Sequence, residues 1–437
     1  MTNCILTPLQ LPAIKGRKIE IDFKGGEVTS DGGILLLNQV DHKLGLTEGI
    51  AKQFHDKRDQ SKIKHSLLAM LRQRVYGIAL GYEDLNDHND LRHDTAFQTA
   101  VHKDVDLASS PTLCRFENMA DRSMAWIMHQ VLLEQFIASY QEEPKELILD
   151  FDATDDLIHG TQVGRFYHGY YENYCFLPLY VFCGAQLLVS YLRSSHKDGS
   201  LHAWGILSLL VKRLRESWPD VKIIFRGDSG FCRHKMLEWC DCHGVFYIVG
   251  MPCNQRLERM LAPTLDRAQH SFIETQVKQK EFTAFLYAAK SWKRERRVIG
   301  KAEVTSQGTN PRFIVTNLED SPQHLYEKIY CARGNMENRI KEVQLDLFAD
   351  RTSCHKWWPN QLRLLLSSLA YSLIERLRAL TLQGTELAVA QAQTIRLKLL
   401  KIGAVITRNT RRIRFMLSSH YPFKDLFCNV IHKLIPT

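Results

Sequence analysis

The sequence predicts an α/β fold on three observations. Short β-branched and aromatic runs at 146–152, 221–227 and 245–250 are separated by stretches whose apolar residues recur at i, i+3 and i+4, the alternation that lays helices on a sheet. Two of these strands end in carboxylates, Asp150 and Asp152 on the first and Asp228 on the second, and open α/β sheets bind ligands just beyond the carboxyl ends of their strands. With 437 residues, 45% hydrophobic and 24% charged, the chain has the composition of a folded protein and the length for two or three domains.

The elements follow in order. Residues 1–30 read as extended and end in the turn-rich Gly25, Gly26, Ser30, Asp31, Gly32 and Gly33. Helical periodicity at 34–39, 63–80 and 123–136 defines a mainly helical N-terminal domain, 1–143. The acid-rich stretch 83–94 lacks the glycine and terminal glutamate of a calcium loop in register, so it reads as an interhelical turn. The first part of the core, 144–250, runs strand, hairpin (about 175–194), helix (201–217), strand, helix (232–243), strand. Residues 251–317 read as a β-rich insertion, with strand-like segments at 272–277, 282–289, 296–304 and 312–317 and a basic cluster, Lys293, Arg294, Arg296 and Arg297, around Trp292. The second part of the core, 318–390, starts with Ser321 as N-cap and Pro322 in the first turn; Tyr330, Arg333 and Glu337 then form one helical stripe, which Gly334 could interrupt, and a long apolar helix covers 361–380. The basic C-terminal segment, 391–437, carries a hairpin, 402–407 and 411–418, about Arg408, Asn409 and Thr410.

The net charge of +9 is local. From Arg351 onward there are 14 Lys and Arg against 3 Asp and Glu, which leaves the rest of the chain at −2. A concentrated basic end points to a polyanion, with nucleic acid ahead of a membrane surface because no amphipathic anchor accompanies it. Eleven scattered cysteines and no signal peptide in residues 1–15 fit reduced thiols in a cytoplasm, and the group Cys232, Cys240, Cys242, His243 and Cys253 lacks the paired spacing of a zinc site. The uncharged run 173–192 is split by Pro178 and by Gly184, and reads as a buried hairpin, not a membrane span.

Carboxylates at the ends of two buried strands are costly unless paired or bound to a cation. Gly227, Asp228, Ser229 and Gly230 match the letters around a serine nucleophile, but the motif ends a strand that alternates with helices, which is the wrong context for that chemistry. Asp152, Asp228 and Glu337, with Asp150 as a possible supporting ligand, instead offer the hard oxygens that Mg2+ or Mn2+ prefers. Two such ions, about 4 Å apart, can drive an in-line phosphodiester displacement.

Asp152, Ala153 and Thr154 on a first strand, Asp228 in FRGDSGF on a later one, a β-rich insertion, and Tyr330, Arg333 and Glu337 on a helix resemble the DDE transposases of bacterial insertion sequences. The resemblance spans about 145–380. It implies an RNase H-like catalytic core with two divalent ions on the three acids, cleavage at terminal inverted repeats, strand transfer into target DNA, and a homodimer on two DNA ends. It further implies DNA contacts by Tyr330 and Arg333, base stacking by Trp292, and DNA binding, dimerisation or both by the N-terminal domain. Related enzymes often carry a lysine seven residues after the glutamate; here that position is Gln344, and Lys341 lies one turn after Glu337. Arg408, Arg411, Arg412 and Arg414 are expected to bind phosphate. A metal-dependent nuclease without strand transfer and a non-catalytic DNA-binding protein are the alternatives.

Overall fold

The alternation along 147–152 decides what lies on each side of the central sheet. In the computed structural model, which describes residues 8–435, strand β1 (Glu146–Ala153) buries Leu147, Leu149 and Phe151 on one face and turns Ile148, Asp150 and Asp152 to the other. β1 pairs antiparallel with β2 (Leu179–Cys183), which turns through Gly184, at φ +60°, into β3 (Gln186–Tyr191). On its other side β1 is parallel to β4 (Lys222–Gly227), and β4 is parallel to β5 (Phe246–Met251). The helices Ala203–Ser217 and His234–Cys242 precede β4 and β5 as crossovers. The resulting order, β3-β2-β1-β4-β5, with three antiparallel strands and then two parallel additions, is an RNase H-like core.

Past β5 the sheet does not stop. It continues antiparallel through three later strands, β6 (Gln279–Tyr287), β7 (Arg296–Thr305) and β8 (Arg312–Thr316), in the order β6-β7-β8-β5, and the two-residue strand Gly308–Thr309 pairs with the end of β7. The segment expected as an insertion is therefore β-rich but extends the core sheet. It also opens with a helix, Gln255–Thr275, where 272–277 was expected to be strand. Asn254 caps that helix, accepting from the amides of Arg256 and Leu257 at 3.1 Å each, and Leu257, Leu261, Thr264 and Ala268 are buried at helical spacing. The stripe outweighs the strand preference of Phe272, Ile273 and Thr275 at its end.

The two faces of the sheet carry different layers. One is covered by an apolar core that includes Leu207, Leu214, Leu237 and Leu261 from the three helices. The other is a stripe of Ile148, Ile224, Ile248, Ile314 and Ile299, on which Leu325, Tyr326 and Ile329 pack. The helix Trp357–Thr381 is fastened to the β2–β3 hairpin: Gln361 donates to the Ser190 carbonyl at 3.0 Å and accepts from the Leu192 amide at 2.7 Å, and the Tyr371 hydroxyl donates to the Ala185 carbonyl at 2.7 Å.

The chain forms two compact units, Glu117–Ser372 and a discontinuous one made of Met1–Phe116 with Leu373–Thr437. In the discontinuous unit, Glu27–Thr29 pairs with Ala404–Asn409, which pairs in turn with Arg412–Leu417; this is the expected basic hairpin, its turn at Thr410 and Arg411. The Gly32 amide donates to the Ile402 carbonyl at 2.8 Å and that of Gly33 to the Leu400 carbonyl at 3.1 Å. A Cβ on Gly33 would fall 1.9 Å from the Leu399 carbonyl oxygen, so only glycine permits this approach. Of the expected N-terminal helices, Ile34–Leu44 and Leu67–Ala79 belong to this unit and Arg122–Ala138 to the other. Residues 1–7, where part of the expected extended entry falls, lie outside the described residues. Among the described residues every cysteine is free, and no helix is long and apolar enough to cross a membrane.

Candidate active site

Parallel pairing of β1 with β4 sets Asp150 opposite Arg226 and Phe151 opposite Gly227, so Asp152 and Asp228 leave the sheet side by side at the carboxyl ends of adjacent strands. Asp228 then caps the tight turn Ser229–Phe231, its Oδ1 accepting from the Gly230 amide at 2.9 Å. The GDSG letters are a strand-to-turn junction.

The third acid arrives on helix. Ser321 caps the start, its hydroxyl accepting from the His324 amide at 3.3 Å, with Pro322 in the first turn. From there helical turns run to Asp346: wide π turns at Leu325–Tyr330, a tight turn at Cys331–Arg333, α-helix at Gly334–Lys341, and a wide turn again at Glu342–Asp346. Gly334 does not break the run. Wide turns of this kind cluster at functional sites, and here one leaves the Ile329 carbonyl to accept from the Arg226 guanidinium. Arg226, buried on β4, also grips both carboxylate oxygens of Asp150. The pair is thus a strut from the sheet to the helical run. Beneath it Gly250 of β5 allows close contact: a Cβ there would sit 2.6 Å from the Tyr330 hydroxyl and 2.8 Å from the Ser229 amide.

Arg333 completes the cluster. One terminal nitrogen of its guanidinium lies 3.1 Å from Asp152 Oδ2 and 3.1 Å from Glu337 Oε1. Burial, and after it the charges of Asp228 and Glu337, push the Asp152 carboxyl up to about 6, with Arg333 opposing. Burial also raises the Tyr330 hydroxyl; Arg333 opposes this and Asp228 adds to it, so all five side chains share one field. The donors are hard oxygens in a half-buried, negatively charged setting that a divalent cation would relieve. Among the described residues no three acidic, imidazole or thiol groups are disposed around a single ion, and at this site a guanidinium lies between two of the carboxylates.

The family model described as transposase DDE domain group 1 matches residues 11–437, nearly the whole chain. The chain belongs to the DDE transposases of that group. It is an enzyme of DNA transposition, from a family that uses divalent metal ions. Among solved structures, the transposase is similar to the cryo-EM structure of a piggyBac transposase synaptic complex with hairpin DNA, at a TM-score of 0.43 and 10% identity over 85% of this chain and 79% of that one. No curated protein matches it.

Elsewhere in the transposase the sequence-predicted residues fare differently. The cluster around Trp292 is partnered from within the protein: Lys293 pairs with Glu238 at 2.6 Å, Arg294 and Arg296 share Asp241, and Arg297 donates to the carbonyls of Leu318 and Asp320 at 2.7 and 2.6 Å. Arg296 is also buried. Trp292 sits in the hairpin loop between β6 and β7, half-buried, edge-on to Tyr287 and covered by Arg296 at 5.0 Å. Lys341 is exposed. Arg408, Arg411, Arg412 and Arg414 are exposed around a depression of about 510 Å3 at the hairpin tip.

Two site residues, Arg226 and Gly250, went unread in the sequence. Arg226 had a signal, since an arginine inside a buried strand and two residues before Asp228 needs a carboxylate on the same face. Gly250 had none. Gln344, seven residues after Glu337, donates to the Asp155 carbonyl at 3.1 Å and to Asp156 Oδ1 at 2.8 Å, and Asp156 is fully buried.

Proposed function

We propose that this transposase cleaves phosphodiester bonds at the terminal inverted repeats of a bacterial insertion sequence and joins the ends to target DNA by in-line transesterification, with Asp152, Asp228 and Glu337 holding two Mg2+ or Mn2+ ions. The observation that carries the reading is that one arginine bridges the strand-end carboxylate of Asp152 and the helix carboxylate of Glu337, with Asp228 at the end of the adjacent parallel strand. When bound, the ions supply an activated attacking oxygen and stabilise the leaving oxygen. Asp152 and Asp228 are set by the rigid sheet, and Glu337 by a helix that Arg226 tethers through Ile329. In this reading Arg333 releases its carboxylates and turns its planar donors to a DNA phosphate, the acceptor that suits them. Asp150 keeps Arg226 in place and holds no ion. The hairpin arginines bind backbone phosphate, Tyr330 and Lys341 flank the cleaved end, and two copies work on two DNA ends in a bacterial cytoplasm.

The test is cleavage of a labelled duplex carrying the element's own end, with Mg2+ or Mn2+ against EDTA, for the wild type and for Asp152→Ala, Asp228→Ala and Glu337→Ala. Metal-dependent cutting, lost in each variant while binding persists, supports the site. Cutting that survives one of the changes removes that acid from it. Wild-type cutting with no joining of pre-cut ends to a target would favour a plain nuclease.

A further inference from the structure

Within the discontinuous unit, residues 58–65, Arg92 and the start of the helix Ser110–Asn118 enclose a depression of about 420 Å3. Five cationic side chains line it, Arg58, Lys62, Lys64, Arg92 and Arg115, against the carboxylates Asp59 and Asp106. These come from three separate stretches of chain. A run of charge along one surface helix is usually just solvated, whereas cations brought to one concavity from distant positions concentrate positive potential.

The depression is built around a fixed arginine. Arg58 donates to Asp56 through two nitrogens at 2.8 and 2.7 Å and to the His65 carbonyl at 3.0 Å. Arg115 donates to the Thr112 hydroxyl at 3.0 Å, in the first turn of its helix. Lys62 and Arg92 meet their carboxylates only at 3.4 Å, and Lys64 and Arg115 are exposed. His65, half-buried in the wall, reports the same field: burial first, then the charges of Lys64, Lys103, Arg92 and Arg58, hold its imidazole below the usual range.

We propose that this depression is a second phosphate-binding site, which takes the backbone of double-stranded DNA in addition to the arginine hairpin of the same unit. It rests on DNA as the substrate but not on the assignment of the three carboxylates. The mode is positioning without base readout, since the groups offered are cations and hydroxyls.

The experiment is binding of a labelled random-sequence duplex by the full chain with EDTA present, which excludes cleavage, at a series of salt concentrations. The variants are Lys64→Glu, Arg115→Glu and the two together, with Lys43→Glu, on the helix Ile34–Leu44 and outside the depression, as a control whose charge change equals that of each single variant. The double variant is expected to weaken binding about tenfold or more at 0.1 M salt and to flatten the plot of log affinity against log salt by about one for each phosphate that is no longer neutralised. Wild-type affinity and slope in the double variant, or a loss in Lys43→Glu equal to that of the single variants, would overturn the proposal. If charge reversal disturbs folding by circular dichroism, Lys64→Gln with Arg115→Gln is read by the same criteria. Thermal stabilisation by inorganic phosphate over chloride at equal ionic strength, with duplex binding unaffected by the variants, would overturn it in favour of a free anion.

Discussion

A single terminal nitrogen of Arg333 bridges Asp152 Oδ2 and Glu337 Oε1, 3.1 Å from each, and so joins a strand-end carboxylate to a helix carboxylate. The guanidinium is thereby a competitor for any cation drawn to those oxygens. Arg333→Ala is expected to bind Mn2+ about tenfold more tightly than the wild type when no DNA is present, since charge-assisted hydrogen bonds of about 1.5–3 kcal/mol no longer have to be given up. DNA cleavage should fall in the same variant. Titration calorimetry with Mn2+ checks this, and unchanged or weaker binding would count against it.

Asp150 and Asp152 lie two residues apart on one face, yet their loss should have opposite effects. Asp150→Ala strands the buried Arg226 guanidinium, which costs about 3–5 kcal/mol and lowers the melting temperature by roughly 10 °C. Asp152→Asn should abolish cleavage without lowering stability. The Asp152 carboxyl is raised to about 6, so its contribution is fully present below the unfolded carboxylate range and is lost as pH climbs through about 6. At pH 8 the asparagine variant therefore gains up to about 3 kcal/mol over the wild type, and at pH 3 it gains nothing. Melting curves of the two variants at both pH values decide the matter.

Gly250→Ala places a methyl 2.6 Å from the Tyr330 hydroxyl and 2.8 Å from the backbone amide after Asp228. The tyrosine tip can move aside but the Ser229 amide is backbone, so the turn that carries Asp228 must shift. Destabilisation of about 1–3 kcal/mol is expected, with cleavage falling more than duplex binding. Cleavage at the wild-type rate would show that the contact is not needed.

The basic residues near Trp292 should separate by partner. Lys293→Ala and Arg294→Ala are expected to change duplex affinity less than about twofold, because each side chain is already engaged by a carboxylate, Glu238 or Asp241. Arg296→Ala should act on stability instead, since it removes the cover of Trp292 and leaves the buried Asp241 with only an exposed partner. Binding isotherms and melting curves for the three variants test this division; a loss of affinity in Lys293→Ala would restore the loop as a DNA contact.

What the sequence disclosed was whatever depends on near neighbours along the chain. The two-residue period of 147–152 sorted apolar from acidic side chains before any partner strand was known, and the stripe Tyr330, Arg333, Glu337 follows from helical geometry alone. The role of Asp150 was hidden because its partner lies on the adjacent parallel strand, 76 positions away, and nothing local distinguishes it from Asp152. The charges of 291–297 looked available for the same reason: Glu238 and Asp241 are remote in sequence and near in space. The helix Gln255–Thr275 was masked by the strand preference of its last turn, and the union of the two chain ends rests on the bare glycines at 32 and 33, which carry no side-chain signal.

That union has a consequence for synthesis. The amide of Gly33 finds its acceptor only at Leu400, so a chain growing on the ribosome at about 5–20 residues per second must wait roughly 20–70 s between making the first helix of the unit and making the segment that seals it. Over that interval Ile34, Leu37 and Val40, all fully buried at the end, have no completed cover, while the stretch from Glu117 to Ser372 already contains every strand of its own sheet. A product of interrupted translation would thus carry the carboxylates with no finished arginine hairpin, and nascent chains of this transposase should be clients for chaperones that hold exposed N-terminal helices.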